Sequence, residues 1–125
     1  MSALTFTLKQ PTAQRVDMSP LVCQKLQGMD VDAIAAIELQ NGKNRPRVDE
    51  LFYITGMNTQ EIIIANATNK LDFIGKELDG GSISVQGDAG AYLGKQMKAG
   101  NISVSGDAGL YAACEMKNGL LQIDG

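Results

Sequence analysis

The sequence contains no histidine and no tryptophan. Without imidazole, a Ser-His-Asp triad, a His-ligated zinc site or an imidazole general base cannot be assembled from this chain alone. Cysteine occurs only twice, at Cys23 and Cys114, far apart and too few for a zinc site. Met1 to Gln10 shows no charged region followed by an apolar one, so no secretory leader is read. The two cysteines therefore read as reduced, buried thiols rather than a disulfide. No apolar run approaches the roughly 18 residues that a membrane helix needs. Basic charge is not in excess either. The formal net charge is −3, and cations cluster locally only from Lys43 to Arg47, which weighs against nucleic-acid binding.

What is present is an ordinary globular balance. Of 125 residues, 44% are hydrophobic and 20% charged, so one domain with a real core is expected and disorder is not. The 14 glycines do not recur at every third position, so they serve turns rather than a collagen helix.

Internal repetition organises the second half. The run Gly81-Ser82-Ile83-Ser84-Val85-Gln86-Gly87-Asp88-Ala89-Gly90-Ala91-Tyr92 is answered by Gly100-Asn101-Ile102-Ser103-Val104-Ser105-Gly106-Asp107-Ala108-Gly109-Leu110-Tyr111, 19 residues later. The same offset carries Met97-Lys98 onto Met116-Lys117, and Gly119, Leu121, Ile123 and Gly125 open a third unit. Within each unit aliphatic residues alternate with polar ones, the signature of a half-buried strand followed by a Gly-Asp-Ala-Gly turn. Units this short must stack to bury their apolar face.

The expected fold is therefore mainly β: a right-handed single-stranded parallel β-helix, a solenoid of 19-residue coils with roughly three short strands each, preceded by a small α/β N-terminal cap. Residues 1–61 form the cap and an arch. Residues 62–125 form two to three coils, with the array truncated at its C-terminus or covered by further residues or another chain. Ile64, Ile83, Ile102 and Leu121 are expected in one inward ladder, and Asn66, Val85, Val104 and Ile123 in the next, with Asn66 an exception in the entry coil. Ala89 with Ala108, and Met97 with Met116, are expected at corners. In the cap, Leu4 to Leu8 reads as a strand and Ser19-Pro20 as a helix start. Ala33 to Leu39 and Leu51 to Ile54 read as strands around the loop Asn41 to Pro46.

The glycine-bounded units, ending in Asn118-Gly119-Leu120-Leu121-Gln122-Ile123-Asp124-Gly125, resemble the GXGXG repeat. That repeat occurs in the C-terminal domain of glutamate synthase large subunits, in the C subunit of formylmethanofuran dehydrogenase and in that of the related formyltransferase/hydrolase complex. Ala33 to Leu39, Asn41-Gly42-Lys43, Val48 to Phe52, and Leu71-Asp72-Phe73-Ile74-Gly75 leading to Gly80-Gly81 resemble the leading segment of this C subunit. The likeness runs from about residue 33 to 125. It implies a cytoplasmic, non-catalytic scaffold in one-carbon metabolism. Its implied partners are an amidohydrolase-like subunit with a dinuclear metal site, and a formyltransferase or a molybdopterin or tungstopterin subunit. No family catalytic motif maps onto this sequence, so no catalytic, cofactor-binding or metal-ligating residue is assigned and no cofactor is expected on the chain.

The residues that could suggest chemistry have plainer readings. Asp88 and Asp107 could hold a cation, but turn aspartates bonding backbone N–H groups fit better. Gly87 to Gly90 and Gly106 to Gly109 are turns, since no Gly-Lys-Ser/Thr and no phosphate-binding helix follow. Tyr92 and Tyr111 should stack, facing either a partner or a packed corner. Lys98, Lys117 and Lys95 could meet an acidic cofactor tail or an acidic subunit, as could Lys43, Arg45 and Arg47; a solvated face explains both sets. The alternatives to a scaffold of this kind are a glutamate-synthase-like spacer domain and an independent β-solenoid interaction module.

Overall fold

Alternation decides the first strand. In β1 (Ala3–Leu8), Leu4, Phe6 and Leu8 are buried and their neighbours half-buried, as the sequence leads one to expect. The computed structural model describes residues 2–124. After β1 come β2 (Val16–Asp17), α1 (Cys23–Leu26), α2 (Val31–Ala35) and α3 (Val48–Leu51). Then follow β3 (Phe52–Thr55), β4 (Asn58–Ala67), β5 (Leu71–Asp72), β6 (Asp79–Gly87), β7 (Ala99–Val104) and β8 (Leu120–Ile123).

The expected solenoid is corrected by this arrangement. Six strands form one mixed sheet in the order β3-β1-β4-β6-β7-β8, with β3 antiparallel to β1 and the rest parallel; β2 and β5 pair separately. Each 19-residue unit contributes one strand to this sheet rather than three, and turns fill the remainder. The physical reason lies in the distribution of residue types. Within a unit β-branched residues occur only in the Ile83-Ser84-Val85 or Ile102-Ser103-Val104 stretch. Beyond it Tyr92 and Gln96 take φ of 60° and 57° with Gly94 left-handed between them, and left-handed backbone at every second residue does not sustain a strand.

The 19-residue step itself is real. Ile83 pairs with Ile102 and Ile102 with Leu121; Val85 pairs with Val104 and Val104 with Ile123. The first rung is displaced from expectation. Ile62, not Ile64, lies beside Ile83, and Ile64 lies beside Val85. Asn66, the exception in its ladder, is exposed at φ 59°, and its Nδ2 donates to the Leu8 carbonyl at 2.9 Å. An amide side chain is better satisfied there than in an aliphatic ladder, and the register shift after Ile64 accommodates it.

Two expectations in the cap are also corrected. Ala33 to Leu39 begins as helix α2, because Asp30 Oδ1 accepts the Ala33 N–H at 2.8 Å and three alanines favour the helical backbone. Ser19-Pro20 lies in a turn that ends before α1, where the Ser19 N–H bonds Asp17 Oδ1 at 2.9 Å. Leu21, Val22 and Cys23 are consecutively buried, so the chain crosses the core extended before one helical turn forms. The arch is a hairpin: Val48 N–H bonds the Ile37 carbonyl at 2.8 Å, Leu39 N–H bonds the Pro46 carbonyl at 2.9 Å, and Asn41 and Asn44 bond each other.

One apolar cluster joins all of this. Leu4 and Phe6 meet Ile62 and Ile64 across the parallel β1–β4 pair, Leu8 lies beside Phe52 of β3, and Phe52 packs edge-on to Phe6 with ring centroids 6.2 Å apart. Ala89 and Met97 are fully buried; Ala108 and Met116 are partly buried against the same core. Among the described residues no helix is long and apolar enough to cross a membrane.

Candidate functional site

The turns between sheet strands hold the most ordered polar and aromatic features. Phe73, Tyr92 and Tyr111 occupy equivalent positions of successive units, each at φ near 60°. Their rings form a column with centroids 5.1 Å and 5.2 Å apart and planes 5° and 22° from parallel. The expected Tyr92–Tyr111 stack thus exists, and Phe73 extends it. Lys76 Nζ lies 5.5 Å from the Phe73 centroid and Lys95 Nζ 5.0 Å from that of Tyr92. Lys95 therefore serves the column rather than joining Lys98 and Lys117, which stand exposed. On the hairpin, Arg47 pairs with Asp49 at 3.1 Å, while Lys43 and Arg45 are exposed.

Asp88 acts as a backbone acceptor. Asp88 Oδ1 takes the Asp107 N–H at 2.9 Å, linking one unit to the next, and both residues are exposed. Their Gly-Asp-Ala-Gly segments lead into turns, with no helix following. Among the described residues no group of three or more Cys, Asp or Glu is placed to hold a metal ion. The residue that sequence reasoning passed over is Asp72. It is 8% exposed, and its Oδ1 accepts from Arg15 Nη1 and from the Ala91 N–H, each at 2.8 Å. The signal was available: at the 19-residue offset, Asp72 aligns with Ala91 and Leu110, so it is the one acid in that row.

This arrangement clamps the N-terminal segment onto the turn column. Asp72→Ala should cost about 1–3 kcal/mol, because it orphans an N–H inside the fold. Arg15→Ala should cost under about 1 kcal/mol, because its side chain is 55% exposed and solvent screens the pair. Urea denaturation of both variants separates the two; equal losses would mean that the charge pair, not the backbone acceptor, holds the segment.

The cysteines are both free. Cys23 is buried, and desolvation pushes its thiol above the ordinary 9.0; its Sγ lies 3.7 Å from the Ser82 carbonyl. Cys114 is half-buried, less enclosed than expected. A thiol-alkylating reagent should modify Cys114 quickly and Cys23 only on unfolding, as mass spectrometry would show. Since the folded thiol holds its proton more tightly than the unfolded one, Cys23 leaves stability unchanged below pH 9.0 and reduces it as pH rises from there through the folded value. Cys23→Ala should flatten that alkaline decline; an unchanged slope would assign it to another group.

Two broad surfaces remain. The outer sheet face carries Thr55, Thr5, Ile63, Ser84, Ser103 and Gln122 in one uncharged row across all six strands. At the β3 edge, Leu4, Met29, Ile34, Ile54 and Met57 line an apolar groove of about 290 Å³. The turns offer a rigid aromatic column with ammonium groups, and these two surfaces offer area for contact.

No protein-family profile matches the chain. Over 94 residues, 74% of the chain, it is 34% identical to the C subunit of the tungsten-containing formylmethanofuran dehydrogenase 2 of Methanococcus maripaludis, and the same protein from a named strain of that organism gives the same figures. The match takes in 35% of those proteins, so the chain spans about a third of the length of the curated relatives it matches. Among solved structures, a chain of the formyltransferase/hydrolase complex from Methylorubrum extorquens, crystallised with methylofuran, superposes with a TM-score of 0.90 at 28% identity. That superposition covers 95% of this chain and 45% of the other. The similarity to these complexes expected from the residues is therefore found in both sequence and fold.

Proposed function

We propose that this chain is a structural, non-catalytic part of the C subunit of a formylmethanofuran dehydrogenase or formyltransferase/hydrolase complex of one-carbon metabolism. The observation that carries the reading is the superposition of nearly the whole chain on a chain of such a complex, joined by 34% identity to a C subunit. Residues 1–61 act as a cap and arch against 62–125, whose glycine-bounded units belong to the GXGXG type. The rigid sheet and its stacked turns hold partner chains in register. Those partners are an amidohydrolase-like subunit and either a formyltransferase or a molybdopterin or tungstopterin subunit, in the cytoplasm. Chemistry belongs to the partners, in keeping with the lack of histidine here.

Affinity purification from the native host, followed by mass spectrometry, tests this. Recovery of an amidohydrolase-like chain in fixed proportion is expected. Recovery with a glutamate synthase chain instead, or of this chain alone, would overturn the reading. So would turnover of formylmethanofuran by the purified polypeptide without partners.

A further inference from the structure

We draw no further inference here: the strongest candidate, the apolar groove between α2 and the edge strand β3 lined by Leu4, Met29, Ile34, Ile54 and Met57, carries nothing because nothing in the structure shows what covers it.

Discussion

Val104→Asp is expected to abolish the cooperative unfolding transition, leaving a chain already unfolded at room temperature. Val104 is fully buried in β7, with Val85 beside it on one strand and Ile123 on the other. No cation or hydrogen-bond donor side chain shares that aliphatic ladder. An unpaired carboxylate there costs several kcal/mol, and the lost methyl packing adds to it. Stability of a domain is only about 5–15 kcal/mol in all, so one such change consumes most of it. The paired control is Ser103→Asp, one residue earlier and on the outer face, exposed and flanked by the uncharged Ser84 and Gln122. That variant should melt within about 0.5 kcal/mol of the parent. Circular dichroism melts of the two variants read the contrast directly. Comparable melting of both would show that β7 does not present its even-numbered residues to the core.

Gly56→Ala should cost roughly 3 kcal/mol or more. Gly56 joins β3 to β4 with φ of +82°, where an L side chain is already strained. A Cβ there would also strike the Ala3 carbonyl oxygen and lie 2.7 Å from its carbon. The obstruction is backbone, and that backbone is held. The Met57 and Asn58 N–H groups both bond the Ser2 carbonyl, at 3.1 and 2.9 Å, while β1 is paired on both sides. Gly28 supplies the comparison, with φ of +83° and nothing within 4 Å of an added Cβ. Gly28→Ala should therefore cost only the conformational penalty, about 1–2 kcal/mol. The difference in urea midpoint between the two variants isolates the close approach of β1 to the β3–β4 connection. Equal shifts would mean that this approach is looser than the register implies.

The reach of the sequence can be judged from particular residues. Ile83, Ile102 and Leu121 are near copies of one position, and they are neighbours in the sheet. Asn66 shows where such copying misleads. It falls at an inward position by counting, but its amide requires a polar partner, and Leu8, 58 residues earlier, provides one. No local signal names that partner. The same holds for Asp72, whose role depends on Arg15, 57 residues earlier. The aromatic column was half legible: Tyr92 and Tyr111 lie in clear repeats, whereas Phe73 lies in the degenerate one.

Local order thus determined a good deal unaided. Period-two alternation marked the strands, a constant offset set β6, β7 and β8 side by side, and the absence of imidazole removed whole classes of chemistry. Tertiary structure alone decided that each unit yields one strand and a run of turns, and that β3 closes the sheet antiparallel to β1. Those outcomes depend on left-handed backbone at Tyr92 and Gln96 and on partners distant in the chain. Such energies arise only when separated segments meet, so no window of sequence contains them.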